Sequence, residues 1–100
     1  MLTIRQTGAF SAWLTGLRDV QAKARINARI NARIRRLSLG NPGQFRTLRG
    51  GVSELKIDYG PGYRVYYTRR GQELVILLCG GDKGTQDQDI ARAVTMAEEV

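Results

Sequence analysis

A small set of charged and phenolic side chains flanks the turn Gly60-Pro61-Gly62, and these residue types could cleave RNA without a metal. Glu54 and Lys56 precede the turn, while Arg64 and Tyr66 follow it. An arginine can neutralise the charge that develops on phosphorus during cleavage. A carboxylate, lysine or phenol can take the proton from the ribose 2′-OH or protonate the leaving 5′ oxygen. The sequence therefore contains the groups that metal-free phosphodiester cleavage needs.

Alternating apolar and polar residues on both sides of this turn predict a β-hairpin. A three-residue loop, Gly60–Gly62, would place Ile57 opposite Val65 and Asp58 opposite Arg64. The apolar residues then share one face of the hairpin and the polar set shares the other. We expect the polar face to carry a site rather than only water.

Lys83 is expected to reach the same site from another strand. It follows the apolar run Leu74–Cys79 and the pair Gly80-Gly81. Burial and neighbouring arginines could lower the pKa of a lysine or tyrosine there toward neutrality. The alternative interpretation is structural, with the same charges forming ordinary cross-strand salt bridges. The pairs would be Asp58–Arg64 and Glu54–Lys56.

Composition narrows the classes of protein and site. The 100 residues predict one domain, 1–100, with a net charge of +7 in which all but three of the 16 basic residues are arginine. Such a charge favours nucleic acid or an acidic protein as partner. Histidine is absent and Cys79 is the single cysteine, so we expect no disulfide, metal or cofactor. Without a long apolar segment, we expect a cytoplasmic protein with no membrane contact.

The N-terminal part predicts a short strand and two helices. Thr7 can cap a first helix that buries the stripe Phe10, Trp13, Leu14 and Leu17. Asp19 can cap a second helix.

The second helix repeats the unit Arg-Ile-Asn-Ala, which predicts two parallel ridges. The apolar ridge is Ile26, Ile30 and Ile34, and the basic ridge is Arg25, Arg29 and Arg33. Because four residues slightly exceed one turn, Arg33 should lie closer to the buried face than Arg25. The basic ridge can be a solvated flank or a phosphate-binding surface, and the pattern does not decide between them. Gly40 should end the helix before a turn at Asn41-Pro42-Gly43.

The C-terminal part predicts a central strand and a final helix. Residues 74–79 are apolar on both faces, which is typical of a strand covered on both sides. Thr85 and Gln88 fit a capping box at the start of the helix. Phe45–Leu48 is a candidate for one more short strand. The order β-α-α-β-β-β-α predicts an α+β fold. Its twisted, mostly antiparallel sheet would carry two N-terminal helices on one face, together with a C-terminal helix.

Two blocks of the sequence carry a resemblance to a known family. They are Tyr59-Gly-Pro-Gly-Tyr-Arg-Val-Tyr66 and Gly80-Gly-Asp-Lys83 with Thr85-Gln86. Supporting matches are Trp13-Leu14, Leu17-Arg18-Asp19, Arg33-Ile34-Arg35-Arg36-Leu37, Gly40-Asn41 and Glu54-Leu55. Together, from about Phe10 to Ala97, the chain resembles the addiction-module killer proteins. These are HigB-like, phage Gp49-related toxins of the RelE/ParE superfamily.

The resemblance implies a RelE/ParE-like fold and roles for individual residues. Arg64 resembles the strand arginine that is proposed to hold the scissile phosphate, and Lys83 lies where a C-terminal basic or acid–base residue is expected. Glu54 and Tyr66 complete the expected catalytic set. The basic residues expected to bind RNA or the ribosome are Lys56, Arg49, Arg29, Arg33 and Arg36.

The resemblance also implies partners. The chain would be a type II toxin that cleaves mRNA on the ribosome and is neutralised by a HigA-like helix-turn-helix antitoxin. Operator DNA would be contacted only indirectly, through the antitoxin. Two alternatives stay open, because a similar fold serves different targets. One is a ParE-like toxin that acts on DNA gyrase without cleaving RNA. The other is a degenerate member that acts mainly in the complex with antitoxin and operator.

Overall fold

Five strands and three helices make up the part of the chain that the structure, a computed structural model, describes: residues 3–38, 46–71 and 73–100. The strands are β1 (Thr3–Gln6), β2 (Arg46–Thr47), β3 (Val52–Ile57), β4 (Tyr63–Arg70) and β5 (Leu74–Asp82). The helices are α1 (Gly8–Gly16), α2 (Val20–Ser38) and α3 (Gln86–Glu99). Short 3-10 turns, Arg49–Gly51 and Lys83–Thr85, precede β3 and α3.

The strands form one sheet in the order β1-β5-β4-β3-β2. β1 pairs with β5 in parallel, and the other neighbours are antiparallel. This confirms the predicted α+β fold with a mostly antiparallel sheet. The two-residue β2 adds an edge strand beside β3.

Side-chain caps start the first two helices as predicted. The Phe10 amide donates to Thr7 Oγ1 at 3.1 Å. The amides of Gln21 and Ala22 donate to Asp19 Oδ1 at 3.0 and 3.2 Å. Each cap satisfies amides that the first helical turn leaves without an intrahelical partner.

The sheet is covered on both faces. On one face, Phe10 of α1 and Ile26 and Ile30 of α2 pack against β3, β4 and β5. On the other face, Ala93 and Ala97 of α3 pack against the same three strands. The prediction that residues 74–79 form a strand covered on both sides is therefore confirmed. The loop that joins β3 and β4 lies beyond these two layers, and its residues Asp58, Gly60 and Pro61 are exposed to solvent.

The predicted hairpin forms, but its predicted register is wrong by two residues. Ile57 pairs with Tyr63, and Lys56 pairs with Arg64. The loop is therefore 58–62 rather than Gly60–Gly62. A shift of two residues keeps every side chain on its predicted face, because the side-chain period of a strand is two. Asp58 leaves the strand and does not lie opposite Arg64.

The start of α3 differs from the predicted capping box. The Thr85 hydroxyl makes no hydrogen bond to a helix amide. It donates instead to Asp89 Oδ2 at 2.6 Å. The preceding 3-10 turn is held by Asp82, whose Oδ1 accepts from the Gly84 amide at 2.8 Å.

Some predictions fall on residues that the structure leaves undescribed. The helix end at Gly40 and the turn at Asn41-Pro42-Gly43 lie outside the described ranges, as do the side chains of Arg33 and Ile34. The Ile26 and Ile30 part of the apolar ridge is buried as predicted. Among the described helices, none has the length and apolar character that a membrane crossing requires.

Candidate functional site

A cleft of about 390 Å³ lies beside the hairpin loop and brings Arg64 and Lys83 together. Its walls are the loop residues and three cations, namely Asp58, Tyr59, Gly60, Pro61, Gly62, Lys56, Arg64 and Lys83. A Cβ at Gly62 would lie 3.4 Å from Arg64 Nη1 and 3.8 Å from Lys83 Cβ. Both predicted cations thus border the same glycine, although Arg64 comes from β4 and Lys83 from the 3-10 turn that follows β5.

Arg64 is held firmly at the back of the cleft. It is only 6% exposed. Its Nη1 donates to the Gly62 carbonyl at 2.8 Å, and its Nε lies 3.4 Å from Glu54 Oε1. The Nε contact is an ion pair without hydrogen-bond alignment, since this buried nitrogen has no hydrogen-bond partner. A guanidinium fixed in this way presents positive charge to the cleft at little entropic cost when a ligand binds.

Glu54 lies behind Arg64 rather than in the cleft. It is 5% exposed. Its Oε2 accepts from Arg46 Nη2 at 3.3 Å and from Gln86 Nε2 at 3.2 Å. Because donors and cations surround this carboxylate, it is placed to orient Arg64. Its predicted catalytic role stays a prediction.

Tyr66 is completely buried beneath α3, and it does not line the cleft. Burial, followed by the charges of Glu54 and Asp89, raises the pKa of Tyr66. The expectation of a lowered tyrosine pKa is therefore wrong for this residue. The phenol stays protonated at neutral pH, and its hydroxyl has no hydrogen-bond partner. The role predicted for Tyr66 stays untested.

Asp58 is a cleft carboxylate, although the sequence predicts no catalytic role for it and pairs it with Arg64 on the polar face. It forms a salt bridge with Lys56 at 3.4 Å, and its side chain is 83% exposed. In the predicted register Asp58 would instead lie opposite Arg64 across the hairpin. In the longer loop that leaves Asp58 outside the strand, Gly60 and Gly62 adopt positive φ angles of 56° and 82°.

The other predicted RNA-binding cations are dispersed. Arg29 lies near the cleft, where its Nε donates to the Lys56 carbonyl at 3.4 Å. Arg36 is exposed on the last turn of α2. Arg49 is exposed at the opposite end of β3, next to Gly50, which packs against α3. The structure therefore brings Arg29, but not Arg49, to the hairpin end of the sheet.

A second groove, of about 340 Å³, adjoins the cleft and shares Asp58 and Tyr59 with it. It lies between α2 and the hairpin. The Arg25 guanidinium stands 4.6 Å from the centre of the Tyr59 ring, a cation–π contact. The Tyr59 hydroxyl donates to Gln21 Oε1 at 3.1 Å. Arg25 and Arg29 of the basic ridge thus continue the charged surface around the hairpin.

The described residues suggest no metal centre. Within residues 3–38, 46–71 and 73–100, no group of three or more acidic or cysteine side chains is placed to hold an ion. The chemistry available in the cleft is that of two lysines, one arginine, one accessible carboxylate and the phenol of Tyr59.

Comparison with known proteins gives one family and two individual likenesses. Residues 13–99 match the family model described as phage derived protein Gp49-like (DUF891). An uncharacterised protein of Haemophilus influenzae is 48% identical over 99 residues, which is 99% of this chain and 96% of that protein. The solution structure of a conserved hypothetical protein from Helicobacter pylori has a TM-score of 0.46 at 22% identity, covering 84% of this chain and 97% of that one. This structural likeness is too weak to support a functional conclusion.

Proposed function

This chain belongs to the phage-derived Gp49-like family, whose members are RelE-like toxins, and from that premise we propose that it is a ribosome-dependent mRNA endoribonuclease. It acts in the cytoplasm as the toxin of a type II toxin–antitoxin module of the HigB kind. A HigA-like helix-turn-helix antitoxin neutralises it and connects it to operator DNA.

The observation that carries the proposal is the convergence of Arg64 and Lys83 on one side of Gly62, inside a cleft open to solvent. The cleft, at about 390 Å³, lies at the small end of the range of ligand pockets, and charged side chains line it. Its charge is suited to a phosphate, because three cations face a single carboxylate. An inhibitor that only binds a protein target has no need for an acid, a base and a fixed guanidinium around one small cleft.

The residues of the cleft divide the chemistry of RNA cleavage among themselves. Arg64 binds the non-bridging oxygens of the scissile phosphate and balances the charge that grows on them. Asp58 accepts the 2′-OH proton as the 2′ oxygen attacks phosphorus. Lys83 donates a proton to the 5′ oxygen as its bond to phosphorus breaks. The products are a 2′,3′-cyclic phosphate and a 5′-hydroxyl end.

Substitution of the cleft cations tests the proposal. Arg64→Ala and Lys83→Ala should abolish growth inhibition, because each removes a charge that stabilises the transition state. Asp58→Asn should slow cleavage by about 10²-fold or more, the usual contribution of a proton acceptor. Primer extension on mRNA from induced cells locates the cleavage sites. They should lie at codon boundaries of translated messages.

Matched variants distinguish the effect of losing a cleft residue from the effect of losing positive charge anywhere in the protein. Arg69 lies on the same strand as Arg64 but is exposed and bonds the Gly71 carbonyl, and Lys23 is a lysine of α2 outside the cleft. Arg69→Ala and Lys23→Ala should remain toxic. Toxicity that survives both Arg64→Ala and Lys83→Ala would contradict the nuclease proposal. Supercoiling defects with intact transcripts would point instead to gyrase as the target.

A further inference from the structure

Gln86 connects the first turn of α3 to the guanidinium in the cleft. Its Nε2 donates to Glu54 Oε2 at 3.2 Å, and Glu54 Oε1 lies 3.4 Å from Arg64 Nε. We propose that Gln86 is a positioning residue that fixes Arg64 for phosphate binding by orienting Glu54. The inference rests on the proposed endoribonuclease function and extends it to a residue that does not line the cleft.

These contacts, from Gln86 to Glu54 and from Glu54 to Arg64, form a relay that joins three different elements. Gln86 belongs to α3, Glu54 to β3 and Arg64 to β4, and Arg64 Nη1 returns to the hairpin loop through the Gly62 carbonyl at 2.8 Å. Arg64 and Glu54 are both more than nine-tenths buried. Buried partners lose alternative hydrogen bonds to water, so each one's position depends on the next.

The chemistry of the amide suits this task. Glu54 Oε2 accepts hydrogen bonds from two side chains, Gln86 and Arg46. The side chain of Arg46 is 60% exposed. An exposed arginine holds a carboxylate weakly, because solvent screens the pair and the long side chain must be ordered. Gln86 fixes the same oxygen with a neutral donor. The amide therefore does not compete with Arg64 for the negative charge of Glu54. Without this amide, the carboxylate can turn toward Arg46 and take the guanidinium out of its position.

The start of α3 is itself fixed against the sheet. Gly81 lies opposite Arg64 in the β4–β5 pair. A Cβ at Gly81 would overlap the Asp89 carboxylate, so the helix approaches the strand where only a glycine leaves room. Lys83 precedes Gln86 by three residues in the same connection. One short segment therefore supplies the second cation of the cleft and holds the first.

The test compares Gln86→Ala with Gln88→Ala in the full chain. Gln88 is an exposed glutamine two residues further along the same helix, which makes it a matched control. Single-turnover cleavage of ribosome-bound mRNA is followed over a range of toxin concentrations. We expect Gln86→Ala to lower the maximal rate by about 10- to 100-fold, the size of effect that a small misplacement of a reacting group produces. The half-saturating concentration should change by less than about twofold, since the groups that bind the ribosome are untouched. Gln88→Ala should behave as wild type.

A second variant supplies a pH signature that a purely structural role would not give. Gln86→Glu places a second carboxyl beside Glu54, and at neutral pH the two like charges repel. As the pH falls, the introduced carboxyl gains a proton and can donate it to Glu54 Oε2 in place of the amide. The rate of Gln86→Glu relative to wild type should therefore rise toward acidic pH, while that of Gln86→Ala should not.

A readout without catalysis distinguishes this inference from the proposed function. The Arg64 Nε–H resonance in a ¹⁵N NMR spectrum reports how well the guanidinium is ordered and shielded from solvent. It should exchange faster in Gln86→Ala than in wild type or Gln88→Ala. If this change occurs but wild type does not cleave mRNA, the positioning relay stands and the endoribonuclease proposal fails. An unchanged Arg64 resonance, or a Gln86→Ala rate equal to wild type in a cleaving enzyme, overturns the inference.

Discussion

The two carboxylates near Arg64 differ in burial, and the roles that we propose for them follow from that difference. Glu54 is enclosed by Arg46, Arg64 and Gln86. Its position depends on these partners, and loss of Arg64 would leave the buried carboxylate with only the exposed Arg46 as a counter-charge. Asp58 has an exposed side chain paired only with Lys56. It can exchange a proton with a ligand in the cleft without disturbing the core.

Cys79 provides a test of burial at the residue scale. Burial, and next the Asp89 charge, raises the pKa of the Cys79 thiol to about 11. A group whose pKa is higher in the folded than in the unfolded state stabilises the fold below the unfolded value. That stability is lost as the pH rises through the folded value. Compared with Cys79→Ala, the wild type should lose about 2 kcal/mol of unfolding free energy between about pH 8.5 and 11.

Urea denaturation at several pH values measures this loss. The comparison with Cys79→Ala matters because Tyr66 also has a raised pKa and contributes its own alkaline dependence. The native thiol should also resist alkylation at neutral pH, since the thiolate is the reactive form. Equal pH dependence in the two proteins, or rapid alkylation of folded protein, would show that the Cys79 environment is more open than its 1% exposure indicates.

At the scale of elements, the hairpin shows what the sequence could and could not predict. Alternation gave the two strands and assigned each side chain to its face. It could not choose between loops of three and five residues, because both keep the same faces. The choice depends on Tyr59, which leaves the strand to stack with Arg25 and bond Gln21 of α2. Those contacts join residues more than 30 positions apart, and a local pattern does not contain them.

The candidate site was also predictable only in part, since the sequence indicates two of its residues but not how they are positioned. Arg64 and Lys83 were named from residue type and resemblance, and the cleft contains both. Gln86 was part of a recognised block but had no assigned role, because its function depends on where α3 crosses the sheet. The failure of the Thr85 capping box has the same origin. Thr85 bonds Asp89, which fills the space above Gly81, so tertiary contacts replace the local cap.

Two glycines with positive φ angles test the loop as an element. Gly62 has φ +82° and a Cβ there would lie 3.4 Å from Arg64 Nη1, whereas Gly71 has φ +63° and open space around its Cβ position. Ala at either position should cost about 1–2 kcal/mol of stability for the left-handed backbone. Only Gly62→Ala should also slow RNA cleavage, because its methyl group enters the gap between Arg64 and Lys83.

Urea unfolding and single-turnover cleavage together make the comparison. Gly71→Ala serves as the control for backbone strain alone. A Gly62→Ala protein that cleaves as fast as Gly71→Ala would show that the space beside Gly62 is not part of the site.

At the scale of the whole molecule, the covered sheet determines where charge can gather. Helices occupy both faces, and the hairpin end presents the cleft cations together with Arg25 and Arg29 of α2. A large anionic partner such as the ribosome would meet the cleft and the ridge at the same time.

The salt dependence of ribosome binding can show whether the ridge takes part. Each phosphate contact that is lost should make the slope of log K against log salt less steep by about one. Arg25→Gln combined with Arg29→Gln should therefore flatten the slope by about two. Arg5→Gln combined with Arg92→Gln removes the same charge from exposed positions outside both the cleft and the groove, on β1 and α3. This control pair should leave the slope close to that of wild type. Equal effects of the two pairs would assign binding to overall charge, and binding that does not respond to salt would make the ridge a solvated flank.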